Sequence, residues 1–310
     1  MKKANSAFTG IPTFCRSPHV SDLDEIASTV AVLGIPFDEG VGYRPGTRFG
    51  PRAIREYSLR LPFFDTSNAQ RGYWDIEKQQ TFLSSVDCVD CGDVDIVALN
   101  HEYVYGQIDT SIKKILKKGV FPLVLGGDHS VTYPVVRAFE NTGPMSVIQF
   151  DAHLDRRESV LGVQFGHGSP MRRISELEFI DKIVSIGLRG LRAPEEDFRF
   201  AEQRGDILIP DSTVQAIGID GVLEKIPDTG RCFVTIDIDC LNPAVAPGTG
   251  TPEADGLSFS QLKNILWGIA KKSQIVGFDL VEVNPSLDPS GRTPLFAARL
   301  CVEFLAAIFG

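Results

Sequence analysis

The chain has 310 residues, which is long enough for one large α/β domain or two smaller domains with a sizeable apolar core. Its formal net charge is −9 and its acidic and basic side chains are interspersed, so we expect no nucleic-acid binding. No uninterrupted apolar run is long enough to cross a bilayer, and the start, Met1-Lys-Lys-Ala-Asn-Ser6, lacks the apolar core of a signal peptide. We therefore expect a cytoplasmic protein that binds neither nucleic acid nor a membrane.

Residues 1–28 show little periodicity and are predicted to be an N-terminal arm, followed by one domain over residues 29–310. The predicted strands are 29–35, 85–91, 120–125, 145–150, 182–187, 206–210, 232–237 and 274–280, with an edge hairpin within 60–84. The predicted helices begin near Pro51 and then cover 98–118, 130–140, 194–203, 219–225, 259–271 and a last stretch from about 293. Strands and helices alternate without a linker or repeat, which predicts a single three-layer α/β/α domain with a central, mainly parallel sheet.

The six cysteines predict buried, reduced thiols. Cys88 and Cys91 have Cys-x-x-Cys spacing, but they lie in a predicted strand and no second pair follows. A redox or zinc site at this pair is therefore the minor interpretation.

Three of the predicted strands end in side chains of metal-ligand type. Side chains at positions i, i+2 and i+4 of an extended segment point to the same side, and the carboxyl ends of parallel strands meet at one edge of the sheet. The side chains in question are His129, Asp151, His153, Asp155, Asp237 and Asp239. A solvated acidic turn is the alternative interpretation of any one of these segments taken alone.

The ligand set also indicates which metal the site would take. Four carboxylates and two imidazoles roughly neutralise two divalent cations, and the set contains no thiolate. Such carboxylate-rich sites favour Mn²⁺-like ions over structural zinc. We therefore expect two Mn²⁺ ions per chain, with Ni²⁺ or another divalent ion as the alternative.

The segments that contain these ligands resemble the three signature segments of the ureohydrolases, the family of arginases, agmatinases and guanidino-acid hydrolases. They are Gly-Gly-Asp-His-Ser (126–130), Asp-Ala-His-x-Asp (151–155) and Asp-Ile-Asp-Cys-Leu-Asn-Pro (237–243). Four other segments, 34–38, 44–51, 246–252 and 279–285, also resemble the family. The resemblance runs from about residue 30 to the C-terminus and implies an arginase/deacetylase-like fold.

The resemblance implies hydrolysis of a guanidino compound to urea and an amine at a two-metal centre. Asp151 and Asp237 would bridge the two ions. The other ligands would divide between them, with His129 and Asp155 on one ion and His153 and Asp239 on the other. Asp155 would pass a proton to the leaving amine. A homo-oligomer, a trimer or hexamer, is also implied.

Two further residues gain a catalytic role from the same resemblance. Glu282 is predicted to bind the guanidinium group through paired hydrogen bonds. His167 is predicted to lie in the mouth of the active site, contact the substrate and serve as a second proton shuttle. Alone, Glu282 would be interpreted as a surface salt-bridge residue and His167 as an exposed loop histidine.

The far end of the substrate is left open by the sequence. We expect agmatine first and a guanidino acid second, with arginine, formiminoglutamate and small guanidines as further alternatives. Arg156 and Arg157 depart from the usual agmatinase pattern; an arginine at position 157 resembles formiminoglutamase and can hold a substrate carboxylate. A structural or interface role for this pair is the alternative. Tyr43 is a further candidate for the pocket mouth.

Two other classes of function compete with the ureohydrolase prediction. One is a metal-binding, non-catalytic subunit of a hetero-oligomer, which the presence of all six ligands and Glu282 disfavours. The other is a single-zinc deacetylase of similar architecture, which the six-ligand count disfavours.

Overall fold

The computed structural model describes residues 6–65 and 71–310. Eight strands form one sheet in the order β4-β1-β5-β10-β9-β6-β7-β8, and every neighbouring pair is parallel. Their bounds are β1 Val30–Gly34, β4 Cys88–Asp93, β5 Phe121–Leu125, β6 Met145–Phe150, β7 Ile180–Leu188, β8 Ile207–Pro210, β9 Arg231–Asp237 and β10 Gln274–Val281. A separate antiparallel pair, β2 Tyr73–Asp75 and β3 Gln80–Phe82, lies within the predicted hairpin region, part of which (66–70) is outside the described residues.

Helices cover both faces of this sheet. They are α1 Gly50–Ser58, α2 His101–Lys117, α3 Thr132–Arg137, α4 Pro170–Ser175, α5 Glu195–Arg204, α6 Asp211–Lys225, α7 Phe259–Lys272 and α8 Arg292–Phe309. The α2 helix begins at the Asn100 cap, and α7 begins with a capping box of Ser258 and Gln261. Such caps satisfy backbone N–H groups that the first helical turn leaves unpaired.

Alternating side chains of the buried strands divide the core into two clusters. On β5, Leu123 and Leu125 pack on the same side as α7 and α8, whereas Val124 packs on the side of α2 and α3. This alternation follows from the two-residue period of a strand. The predicted three-layer α/β/α architecture with a parallel sheet is therefore confirmed.

Part of the predicted N-terminal arm packs closely on the domain. Phe14 and Cys15 are fully buried, and the Phe14 N–H donates a hydrogen bond to Asp90 at 2.8 Å. His19 forms a parallel bridge with Asp90, so this stretch runs along the outer edge of β4.

Two helices differ from the expectation. The α6 helix begins eight residues before the predicted 219. Gly218, at φ 67° and ψ −173°, interrupts it in the middle. The predicted segment is the half that follows this break. The short α4 helix was not predicted; it begins at a proline and makes fewer than two turns.

Cys88 and Cys91 lie on β4, and both thiols are buried and free. They belong to different core clusters, so they project from opposite faces of the sheet. Side chains three residues apart in a strand point to opposite faces of the sheet, so the two sulfurs cannot bind the same metal ion. Within the described residues, no helix is long and apolar enough to cross a membrane.

Candidate metal centre and substrate pocket

The candidate site lies at the carboxyl edge of the sheet, beyond four adjacent strands. His129 follows β5, Asp151 follows β6, Asp237 ends β9, and Glu282 follows β10, which lies between β5 and β9. A Cβ atom at Gly127 would stand 1.8 Å from the Phe37 carbonyl oxygen, so glycine is required for the loop after β5 to pack this closely. The predicted convergence of the three ligand segments is therefore present in the fold.

His129 faces three carboxylates through its Nδ1 atom. That atom lies 3.1 Å from Asp151 Oδ2, 3.0 Å from Asp155 Oδ2 and 3.4 Å from Asp237 Oδ2. It is buried and has no hydrogen-bond partner in the described part of the chain. A buried imidazole nitrogen surrounded in this way by carboxylate oxygens has the arrangement expected of a metal ligand.

His153 forms a second cluster that shares Asp151 with the first. Its Nδ1 atom lies 3.1 Å from Asp239 Oδ2 and 3.5 Å from Asp151 Oδ1. Ligand atoms of His129, Asp151 and Asp237 lie within 4.8 Å of one another, as do those of Asp151, His153 and Asp239. The six predicted ligands therefore come together as two overlapping groups, with Asp155 beside the first.

Backbone amides hold the carboxylates in place. The Asp239 N–H donates to Asp237 Oδ1 at 2.9 Å, and the Ala152 N–H donates to Asp239 Oδ1 at 3.1 Å. Asp151 Oδ1 accepts the His153 N–H at 2.6 Å. Because each of these three carboxylates has one oxygen held by backbone, its other oxygen keeps a defined direction, and that of Asp151 also accepts the Gln149 side-chain N–H at 2.7 Å.

The electrostatics of this cluster favour a bound cation. Burial, together with repulsion from Asp239 and Asp151, raises the pKa of Asp237 well above its usual value. Burial lowers the pKa of His129, but the surrounding carboxylates outweigh it and raise the pKa far above normal. Both shifts show that this position stabilises positive charge. Hard carboxylate oxygens with imidazole nitrogens suit a divalent ion of the Mn²⁺ type.

Glu282 connects the metal-ligand cluster to the wall of a cavity. Its Oε1 atom accepts the backbone N–H of His129 at 3.0 Å and lies 3.0 Å from His167 Nδ1. Glu282 is buried, has a positive φ of 64°, and its Oε2 atom has no partner among the described residues. His167 lines the cavity, and its backbone N–H donates to Gly40, which in turn donates to Asp128 beside His129.

The cavity has a volume of about 920 Å³ and reaches from the metal ligands to the surface. Its wall contains the metal-ligand residues His153, Asp155 and Asp237. It also contains Arg157, whose Nη1 atom lies 3.6 Å from Asp197 Oδ2 and whose side chain is 37% exposed. The cavity is therefore open to solvent at the end away from the metal ligands.

The other two candidates for the far end of the substrate have different surroundings. The Arg156 side chain also belongs to the cavity lining, but it is fully buried and pairs with Asp206 at 2.6 Å, which favours the structural alternative. Tyr43 is 60% exposed and lies outside the set of cavity-lining residues.

Three acidic residues near the site had no role in the sequence interpretation. Glu39 and Asp197 line the cavity, and Glu253 Oε1 lies 3.4 Å from His153 Nε2. Asp197 lies about forty residues from the motifs, so the sequence contains no signal for it. Glu253 directly follows the 246–252 segment, whose resemblance to the family could have indicated that Glu253 lies near the site.

Comparison with known proteins places this chain and its fold in one family. The model of the Arginase family matches residues 28–307, nearly the whole chain. The mitochondrial guanidino acid hydrolase of Homo sapiens is 37% identical over 284 residues, covering 90% of this chain and 78% of that protein. The agmatinase of Bacillus anthracis is 37% identical over 281 residues, covering 90% of this chain and 91% of the relative.

A solved structure agrees with the sequence comparison. The proclavaminate amidino hydrolase of Streptomyces clavuligerus superposes with a TM-score of 0.87 at 31% identity, covering 98% of both chains. The chain therefore belongs to the arginase family, whose members are hydrolases that act on amidino carbon–nitrogen bonds.

Proposed function

We propose that this chain hydrolyses a small guanidino compound to urea and an amine, using two Mn²⁺ ions held by the six predicted ligands. The observation that supports this most strongly is the pair of ligand groups that share Asp151. When bound, divalent ions lower the pKa of a water molecule toward neutrality and so supply the nucleophile. The relatives named for guanidino acids and agmatine support the same reaction class.

Glu282 binds and orients the guanidinium group in this proposal. A carboxylate can accept two parallel N–H bonds from a planar guanidinium. The Oε1 atom of Glu282 is already shared by two donors, and the unpartnered Oε2 atom can accept a third. Because Oε1 also accepts the N–H of the ligand His129, the bound guanidinium has a fixed position relative to the metal ligands.

His167 supplies the proton that the leaving amine needs. Burial lowers its pKa, but the neighbouring Glu282 carboxylate outweighs this and raises the pKa to about 9. His167 is therefore protonated at neutral pH and can act as a general acid at the cavity wall. Asp155, beside the first ligand group, is the candidate for passing a proton from the attacking water.

Agmatine remains our first candidate substrate. Its distal ammonium needs an anionic partner, and the carboxylates of Glu39 and Asp197 both line the cavity. Glu39 is held in place because its Oε2 atom accepts the Leu99 N–H at 2.8 Å. A guanidino acid is the second candidate, favoured by the partly exposed guanidinium of Arg157 in the same wall.

Urea release tests the proposal. The Mn²⁺-loaded protein should release urea from agmatine, with 3-guanidinopropionate, 4-guanidinobutyrate, arginine and guanidine as the comparison set and formiminoglutamate assayed for ammonia and formamide. A parallel sample loaded with Ni²⁺ shows whether metal identity changes the substrate. If no substrate of the set is hydrolysed although two ions are bound per chain, the result would contradict the proposal and favour the non-catalytic subunit.

Two variants in the same assay decide which end group is bound. Glu39→Gln should lower kcat/KM for agmatine while leaving a guanidino acid unaffected, if the distal group is cationic. Arg157→Ala should do the reverse if the distal group is a carboxylate. Each substitution is the control for the other because both residues line one cavity.

We also propose that the chain assembles as a homo-oligomer, a trimer or hexamer, in the cytoplasm. Leu99, Leu161 and Leu191 are each more than nine-tenths exposed, which supports burial of these side chains in an assembly. Light scattering on the purified protein measures the mass directly, and a monomer at micromolar concentration would contradict the assembly.

A further inference from the structure

Asp279 is a buried acid that the proposed reaction does not use. It lies near the carboxyl end of β10, is fully buried, and neither of its carboxylate oxygens has a hydrogen-bond partner within the described chain. Burying an unpaired carboxylate is costly, so its presence in the core requires a compensating interaction. Burial raises the pKa of Asp279 to about 6, whereas the hydroxyls of Thr235 and Thr132 and the charge of His129 stabilise its ionised form.

The strand register places Asp279 beside Thr235. The two residues are directly paired between β10 and β9, and paired residues of parallel strands project from the same face. Thr132, at the start of α3, closes the space above them, with its Oγ1 atom 3.5 Å from Thr235 Oγ1. Asp279, Thr235 and Thr132 therefore form one buried polar group between the sheet and α3.

Thr235 joins this group to the metal centre. Its Oγ1 atom lies 3.0 Å from His129 Nε2, the ring nitrogen on the far side from the three carboxylates. For Nδ1 of His129 to act as a ligand, the ring proton must be on Nε2, which then donates to Thr235 Oγ1. Since that oxygen accepts the ring N–H, the Thr235 hydroxyl hydrogen is free to point toward an acceptor, and Asp279 is the charged acceptor beside it.

We propose that Asp279 is a positioning residue that acts through Thr235 to fix the tautomer and ring orientation of His129. The chain of donors would run from His129 Nε2 to Thr235 Oγ1 and from the Thr235 hydroxyl to the Asp279 carboxylate, whose oxygens have no other partner in the described chain. Metal-ligating histidines commonly have their second nitrogen held in this way by a carboxylate or another acceptor. The buried negative charge of Asp279 also balances the positive charge that collects at the metal centre.

Mn²⁺ affinity measured by chelator competition tests this inference, which rests on the proposed metal centre. Asp279→Asn and Thr235→Val should each weaken binding at the His129 position by about 10- to 100-fold. Thr235→Ser keeps the hydroxyl and should restore the affinity of the wild type. The double variant should lose no more than Thr235→Val alone, because both substitutions break one chain of hydrogen bonds.

Glu303→Gln is the matched control. Glu303 is another buried carboxylate with one unpartnered oxygen, but it lies on α8 and pairs with Arg299. Its substitution should change the melting temperature and leave Mn²⁺ affinity unchanged. This separates loss of a buried charge from loss of ligand positioning.

The outcomes distinguish the two proposals. Failure of the wild-type protein to bind Mn²⁺ would overturn the metal centre itself. Wild-type Mn²⁺ affinity in a folded Thr235→Val or Asp279→Asn variant would overturn only the proposed action of Asp279 through Thr235. Strictly additive losses of affinity in the double variant would do the same. If Asp279→Asn does not fold, comparing the Mn²⁺ affinity of Thr235→Val with that of Thr235→Ser still shows whether the Thr235 hydroxyl positions His129.

Discussion

At the residue scale, the two polar atoms of each key side chain in the site face different partners. His129 presents Nδ1 to three carboxylates and Nε2 to Thr235, and Glu282 has one oxygen with partners and one without a partner among the described residues. The ligands themselves were predictable because i, i+2 spacing after an apolar strand is visible in the sequence. The position of Asp279 beside Thr235, which contacts His129, was not predictable, because it depends on the pairing of β10 with β9.

Glu282→Gln is expected to separate substrate binding from metal binding. The amide cannot offer a charged acceptor to a guanidinium, so kcat/KM should fall by about 10- to 100-fold, the worth of a hydrogen bond to a charged group. Metal content, measured by elemental analysis of the same sample, should stay at the wild-type value. Loss of metal in the variant would show that Glu282 had been misassigned.

At the element scale, strand ends were readable from local sequence, whereas helix interruptions and short helices were not. The break at Gly218 needs a backbone conformation that a propensity pattern does not encode, and α4 is too short to show a period. Arg156, which lines the cavity, also joins the loop after β6 to the start of β8 through Asp206. Its burial could not be seen from sequence because its partner lies fifty residues away.

Asp206→Asn is expected to destabilise the domain, because it removes the charge partner that the buried guanidinium of Arg156 shares with Arg204. Breaking a buried ion pair on one side costs about 3–5 kcal/mol, so the free energy of unfolding in urea should fall by this order. Glu195→Gln is the control, since Glu195 and Arg199 form an exposed ion pair and should contribute little. Equal effects of the two substitutions would contradict a structural role for Arg156.

At the scale of the whole molecule, the strand order decides which residues meet. The sequence predicts an alternating parallel fold, but it does not show that β10 inserts between β5 and β9. That insertion brings Glu282, from near the C-terminus, between His129 and His167. The family resemblance implies the role that we propose for Glu282, and the topology gives the physical reason for its position. The cavity wall is built from loops that are far apart in the sequence, so it was the hardest part of the site to predict.

The most direct test of the account compares Mn²⁺ content and urea release in the wild type and in Asp151→Asn. Asp151 is the residue common to both ligand groups, so the account predicts two ions per wild-type chain and a loss at both positions in the variant. Urea release should fall by more than the roughly 100-fold that loss of an outer hydrogen-bond partner costs. An Asp151→Asn protein that still binds two ions and releases urea at the wild-type rate would contradict the two-metal centre.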